Sequence, residues 1–462
     1  MSAPFPDPPT LDGFTGPVVL PVSAGYDAAR AVWNAMHDKR PAVIAQCDRA
    51  DDVAAAIRYA RTNELRIAVR GGGHSLPGFS TVDDGLVIDL RRLNQVSVDP
   101  VSRTAVVGGG ALLGDVDSVA QAYGLLVPAG VISHTGAGGL TLGGGVGRMM
   151  RKYGLTIDSL LSAEVVTADG RLVRASAEEN PELFWAVRGG GGNFGVVTSF
   201  EYRCHPQGDL VVLASFHPLE QGAAPLLAGD RTIADRTTPD ELLWTSFVRK
   251  APPLPWIPES MVGTPGVMSL VEWSGDLDEG FDRLGVIRRD TDPVAAELER
   301  VPYLTLQTMG DEVFRHGLHS YIKATFADEL SAELVEVLVE RGRSLGSPLA
   351  QVEVLSLGGA IARVPSNATA YPHRSARWLL NIPASWEDSA ETAREVTWVR
   401  DTFAAVKPYA SGGAYVNFME ADDVDADETA YGETLARLRQ VKRAYDPQNV
   451  FSLNQNVIPA ES

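Results

Sequence analysis

Three consecutive glycines followed by a histidine, Arg70-Gly-Gly-Gly-His-Ser75, form the stretch of this chain best suited to chemistry. Glycine has no Cβ, so backbone there can reach positive φ and lie directly against a ligand. Successive N–H groups in such a turn form a concavity suited to a diphosphate. His74 then projects from backbone already pressed against that ligand. Taken alone, the motif reads equally well as a glycine-rich turn with an incidental surface histidine. Two further clusters change the balance: Pro128 to Gly147, and Asn180 to Gly195, which leads into the β-branched run Val196 to Tyr202. So many glycines are costly in ordinary secondary structure. Three such regions in one part of the chain point to one extended cofactor wrapped by one domain.

The elements that must position these loops are legible as periodicities. Pro41-Ala-Val-Ile-Ala45 reads as a buried strand, and Asp27 to Met36 and Asp52 to Arg61 read as helices. Residues 41–70 thus read strand–helix–strand, with the loop at the carboxyl end of the second strand, where ligands of α/β units tend to sit. The spacing is not G-x-G-x-x-G opening a helix, so a dinucleotide fold is set aside. Gly85 to Leu90 is a further strand, Gln95 to Asp99 and Arg103 to Val107 a hairpin, and Ala111 to Tyr123 a helix with one apolar stripe. Another hairpin turns at Ala168-Asp-Gly170. From about residue 206 glycine thins out. Strands at Leu242 to Val248, Val267 to Trp273, Gln351 to Leu357 and Trp378 to Ile382 are interspersed with helices, notably Leu330 to Arg343 and Ala390 to Val406. That is an α+β pattern and reads as a second domain. The tail is loop-rich, with one helix near Ala430 to Tyr445.

Composition narrows the classes. A chain of 462 residues can build two or three domains, and 45% hydrophobic with 21% charged residues is ordinary for a globular protein. The net charge of -19 argues against a nucleic-acid partner. Two cysteines, Cys47 and Cys204, make neither a disulfide framework nor a metal site. The N-terminus has no signal-peptide pattern, and no apolar run is long enough to span a membrane, so a cytoplasmic monomer or homodimer is expected.

Together these segments resemble the berberine-bridge-enzyme-like family of the vanillyl-alcohol-oxidase-type (VAO/PCMH) flavoproteins. The matching pieces are Arg70 to Ser75, Pro128 to Gly130 with Gly136 to Gly147, Met149 to Leu155, Leu183 to Gly195, Tyr415-Val-Asn417 and Tyr445 to Asn456. They occur in the family's order across nearly the whole chain. The resemblance implies a two-part FAD-binding domain, residues 1–205 closed by a C-terminal segment, 411–462. An antiparallel-sheet-plus-helices substrate domain, 206–410, is inserted between them. It also implies FAD attached by its 8α-methyl group to a histidine, which His74 matches. Many members add a second bond from a cysteine just after the Pro-Ala-Gly segment. That position here is Ile132, so a link through His74 only is expected. Stretches around Ile132 to Gly136, Ala251 to Pro255 and Leu357 to Pro365 are also similar to a bacterial polyketide-tailoring flavin oxygenase of the family.

The resemblance assigns site residues one by one. Arg70, Gly71, Gly72, Gly73, His74 and Ser75 would hold the diphosphate side. Gly138, Gly139 and Gly143 would hold the flavin edge, and Val197 the adenine side. Asn454 belongs to the C-terminal return to the flavin. Thr135 would lie over the flavin near its oxygen-reactive face, where a small side chain accompanies oxidase behaviour. Glu353 matches an acidic position facing the flavin, and alternation turns Val352 and Val354 the other way; the alternative is a solvent-facing glutamate. Tyr415 and Asn417 share one face of an expected strand, Tyr415 as acid/base partner or packing surface and Asn417 fixing geometry. Tyr321 and Lys323, His134 and His373 have structural readings at least as good as functional ones. The expected activity is oxidation of a small or polycyclic organic substrate, a secondary metabolite, by hydride transfer to FAD with O2 as acceptor. An FAD-linked dehydrogenase or a sugar or alcohol oxidase is the alternative.

Overall fold

In a computed structural model, which describes residues 11–423 and 425–461, the first glycine loop leaves the end of a parallel strand. The N-terminal nine residues read above for a leader lie outside the described residues. Strands β1 (Val18–Val19), β2 (Val43–Gln46), β3 (Ile67–Arg70) and β4 (Leu86–Asp89) form a sheet in the order β1-β2-β4-β3, with β2, β3 and β4 parallel. The crossover helix Ala50–Thr62 buries Val53, Ala56, Ile57 and Ala60 in one cluster with Val43, Ile67 and Ile88. Each such buried Val or Ile contributes roughly 1.5–3 kcal/mol. The expected helix over residues 27–36 is shorter, Tyr26–Arg30. Tertiary hydrogen bonds claim the backbone beyond it: Trp33 N–H donates to the Gly73 carbonyl, and the Trp33 carbonyl accepts from Gly317.

Strands β5 (Val96–Asp99), β6 (Thr104–Gly108), β7 (Leu125–Leu126), β8 (Leu160–Val166), β9 (Leu172–Ser176), β10 (Val196–Arg203) and β11 (His205–Pro206) follow. Five of them form an antiparallel sheet, β5-β6-β10-β8-β9, and β7 pairs with β11. The second glycine cluster is not all loop, because Ala137–Leu142 is helical. A Cβ on Gly138 would lie 2.8 Å from the Gly109 carbonyl oxygen, so only glycine lets that helix touch the end of β6.

The chain from Leu210 to Trp386 builds a seven-stranded antiparallel sheet. Its strands are β12 (Leu210–Pro218), β13 (Leu242–Lys250), β14 (Pro265–Trp273), β15 (Ala295–Val301), β16 (His319–Ala327), β17 (Gln351–Ser356) and β18 (Trp378–Trp386). Their order is β15-β12-β14-β13-β17-β18-β16. Helices Leu277–Thr291, Ala332–Gly342 and Thr392–Val406 pack Leu284, Leu338 and Val399 into one cluster with Val352 and Val354. Period two along β17 therefore turns Glu353 away from that core, toward the glycine loops. The C-terminal helix Leu435–Tyr445 returns to the N-terminal part, burying Leu438 and Val441 with Leu183 and Phe194. Lys442 locks the return: its fully buried Nζ donates to Asp446 Oδ2 (2.6 Å), the Asn193 carbonyl (2.8 Å) and the Phe451 carbonyl (2.9 Å).

Candidate active site

A cavity of about 380 Å³ lies between the glycine loops and the face of the seven-stranded sheet opposite its helices. Its walls include Gly71, Gly72, Gly73, His74 and Ser75, then Thr135, Gly138, Gly139, Val197 and Asn454, and from the opposite side Glu353, Tyr415 and Asn417. Parts of the chain more than 300 residues apart thus meet at one chamber.

His74 is held on three sides by aromatic rings. Trp33 stacks on it (centroids 4.9 Å apart, 17° between planes), His316 meets it edge-on (5.5 Å, 88°), and His134 lies tilted beside it (4.8 Å, 37°). Its Nε2 is 2.8 Å from His134 Nδ1. Burial, then the neighbouring imidazoles, holds the His74 pKa well below the usual histidine range. The ring is therefore neutral near pH 7 and retains a lone pair. Nδ1 has no hydrogen-bond partner among the described residues, so it is the nitrogen left free for bonding.

The chamber suits a large anionic cofactor. The N–H groups of Gly72, Gly73, His74 and Ser75 find no acceptor among the described residues, so four backbone donors line one wall. Unpaired donors in a wall are costly unless a ligand takes them. Asn454 Oδ1 is likewise buried without a partner. Glu353 supplies the one carboxylate of the lining, and it is turned to the far side.

Glu353 accepts from Gln351 Nε2 (2.6 Å) and Asn381 Nδ2 (2.8 Å). Burial raises its pKa above the ordinary value of 4.5, against those two hydrogen bonds and the charge of Arg249, which lower it. Such a carboxyl is poised to exchange a proton closer to neutrality. Tyr415 Oη accepts from the N–H groups of Gly145 (3.0 Å) and Val146 (3.2 Å), and from Asn417 Nδ2 (2.9 Å). Asn417 Nδ2 also donates to the Leu140 carbonyl (3.0 Å). These two residues pin the second glycine region from outside.

Three expectations need correction. Arg70 does not face the chamber: its guanidinium is 1% exposed and pairs with Asp89 at 2.8 Å, across the parallel β3–β4 register. A buried guanidinium requires such a partner, and Asp89 offers one at the paired position. Gly143 does not line the cavity either; a Cβ there would lie 2.1 Å from Asn417 Oδ1, so its smallness makes room for that side chain. Tyr415 and Asn417 are not on a strand. They flank and enter a 3₁₀ turn, Val416–Phe418, and meet because that turn is tight. Tyr321 and Lys323 are engaged with Asp422, His373 Nε2–H donates to the Ala430 carbonyl, and none of the three lines the cavity.

Sequence reasoning missed Trp33, His316, Phe314 and Asn381. Asn381 was findable, since a lone amide in the apolar strand Trp378–Trp386 needs a polar partner, and it pairs in register with Glu353. Trp33 and His316 carry no local signal.

This site and fold define an FAD-dependent oxidoreductase of the VAO/PCMH type. Residues 41–176 match the family model described as an FAD binding domain, and residues 414–458 match that described as berberine and berberine like. The chain is 32% identical over 470 residues to (R)-6-hydroxynicotine oxidase of Paenarthrobacter nicotinovorans, covering 97% of each chain. It superposes on crystalline 6-hydroxy-D-nicotine oxidase from Arthrobacter nicotinovorans with TM-score 0.85 at 30% identity, covering 98% of this chain and 99% of that one. The glucooligosaccharide oxidase of Acremonium strictum, whose FAD is described as 6-S-cysteinyl and 8α-N1-histidyl, shares the fold with TM-score 0.85 at 24% identity, covering 96% and 98%. The chain belongs to the berberine-bridge-enzyme-like family of FAD-linked oxidoreductases, and FAD is its cofactor. No helix among the described residues is long and apolar enough to cross a membrane.

Proposed function

We propose that this protein is an oxidase of small or polycyclic organic molecules, with FAD tethered through His74 alone and O2 as electron acceptor. The observation that carries the reading is a neutral His74 whose free Nδ1 belongs to a side chain of the cavity wall. The neighbouring lining position Ile132 has no nucleophile, and Cys47 and Cys204 are buried in separate cores and do not line the cavity. This supports one bond where the glucooligosaccharide oxidase has two.

Bound FAD supplies the hydride acceptor. The chain supplies the rest. The backbone donors of residues 72–75 hold the diphosphate, and Val197 and Asn454 stand along the same chamber. Glu353, fixed by Gln351 and Asn381, takes the proton that substrate oxidation releases from an O–H or N–H group. Trp33, Phe314, Ile322 and Phe418 make the chamber apolar near His74 and exclude water. Such walls favour a ring-bearing secondary metabolite over an oligosaccharide. Thr135 is a small side chain in the lining, in keeping with O2 access.

The test is acid precipitation of the purified yellow protein. Flavin should remain with the wild-type pellet and be released from a His74→Ala variant. Flavin that stays covalently attached to that variant overturns the assignment. Reoxidation of the reduced enzyme in air then tests the acceptor: slow reoxidation makes the protein a dehydrogenase instead.

A further inference from the structure

Covalent attachment at His74 creates a proton problem that two further histidines are placed to solve. The reaction joins His74 Nδ1 to the 8α carbon and breaks one C–H bond of that methyl group. Two electrons and two protons pass to dioxygen, the oxidant required, giving hydrogen peroxide. The methyl C–H and the imidazole N–H each release one proton to solvent, and solvent supplies the two that leave with the peroxide. For Nδ1 to carry the lone pair, the ring proton must sit on Nε2. Once Nδ1 is alkylated, a proton left on Nε2 would make His74 a cation in a buried, apolar corner, which is costly. The Nε2 proton must therefore leave, and Nε2 faces His134 Nδ1 at 2.8 Å.

We propose that His134 accepts the Nε2 proton of His74 as the flavin bond forms, and that His316 carries it on to solvent. The inference rests on the reading of His74 as the tether. Three observations converge on it. Nitrogens of His74, His134 and His316 all lie within 4.8 Å of one another, a span one water can bridge. His134 Nε2 is buried and has no partner among the described residues, so the ring has a second nitrogen free to release a proton as Nδ1 gains one. His316, the outermost of the three, is exposed, and its ring is 5.0 Å from that of His134. The relay also reverses one hydrogen bond. Before attachment His74 Nε2–H donates to His134; afterwards alkylated His74 has no N–H, and His134 Nδ1–H donates back. His134 is a positioning residue at both stages, because it selects the His74 tautomer and then holds the tethered ring.

Loops bring the three rings together. His134 belongs to the second glycine region, where Asp311 accepts from both the Ser133 N–H (2.8 Å) and the Ser133 hydroxyl (2.6 Å). The same 309–318 segment carries His316 and is tied to Trp33 through the Phe314 carbonyl, which accepts from the indole N–H. The relay is thus held from both sides of the chamber.

The experiment compares total with acid-stable flavin in protein purified from cells at successive times after induction, for wild type, His134→Phe, His134→Gln and His316→Ala. The expected result is full acid-stable flavin in wild type. Both His134 variants should bind FAD but link it at least tenfold more slowly, in line with the ~10²–10⁴-fold effect of a positioned base. His316→Ala, on the surface, should slow linking less, and added imidazole should restore part of the rate. Acid-stable flavin at the wild-type rate in either His134 variant overturns the relay. A His134→Phe variant that binds no flavin is decided by His134→Gln, which keeps a polar partner for Nε2 yet cannot pass a proton. Acid-extractable flavin in wild type sinks the tether reading itself, a separate outcome.

Discussion

Gly72 and Gly136 cross with their backbones in contact: a Cβ on Gly72 would lie 2.3 Å from the Gly136 nitrogen, and a Cβ on Gly136 would lie 2.3 Å from the Gly72 nitrogen. The first and second glycine clusters are therefore one structure, closed at this crossing. Because the obstacle is backbone on both sides, neither loop can yield by rotating a side chain. Gly72→Ala should cost about 1–3 kcal/mol by overpacking and displace the donors of residues 72–75. The expected outcome is a folded protein with a lowered melting temperature and little bound flavin, read from the visible absorbance of the purified protein. Wild-type flavin content in Gly72→Ala would contradict the crossing.

Glu353→Gln preserves size and removes the proposed proton acceptor; its NH2 replaces one of two accepting oxygens, and a flip of the Gln351 or Asn381 amide, whose oxygens are free of partners among the described residues, restores that hydrogen bond. Turnover should fall roughly 10²–10⁴-fold with the flavin spectrum unchanged. In wild type, activity should rise with pH as Glu353 deprotonates, above the ordinary carboxyl range because burial raises its pKa. The Gln variant should lose that limb of the profile. A wild-type pH profile in the variant rules Glu353 out as the base.

Tyr415→Phe removes the acceptor of the Gly145 and Val146 N–H groups and of Asn417 Nδ2. Buried donors left unpaired cost about 1–3 kcal/mol each. A melting temperature several degrees lower, with weaker flavin retention, is expected. An unchanged melting temperature would mean that Tyr415 Oη does not anchor the loop.

Asp117 gives a pH-dependent stability. It is buried, accepts from Gln307 Nε2 at 3.1 Å, and its pKa is pushed up to about 7 by burial, against the ordinary 3.8. The folded protein then holds a proton that the unfolded chain has lost. This group's stabilisation is complete below about pH 4 and disappears as pH rises through about 7. Asp117→Asn should match wild type in acid and exceed it in alkali, by a few kcal/mol at most. Parallel melting curves of the two proteins at about pH 5 and about pH 9 check the sign.

Much of the site could be read without coordinates. Gly72 and Gly138 reveal themselves because a residue with no Cβ, repeated near strand ends, has few other uses, and His74 because it stands at the end of such a run. Glu353 could be placed opposite Val352 and Val354 because a strand alternates faces. The same kind of reading failed for Tyr415 and Asn417, whose spacing of two fits a strand and a tight turn alike; the hydrogen bonds to Leu140, Gly145 and Val146 chose the turn. It failed for Arg70 because a cation beside a glycine loop looks like a diphosphate ligand until a buried carboxylate at the paired strand position claims it.

What the sequence determined by itself was the chemistry carried by residue type: backbone able to lie against a cofactor, one imidazole at its end, no sulfur at position 132, and one carboxylate on the open face of a strand. These follow from covalent structure and local geometry, which neighbours in the chain suffice to define. What only the tertiary structure decided was which groups surround His74. Trp33, His134 and His316 come from three separate loops, and their contacts at 4.8–5.5 Å depend on how the sheets pack. No local pattern encodes a distance between loops; it is set by the cores that hold them.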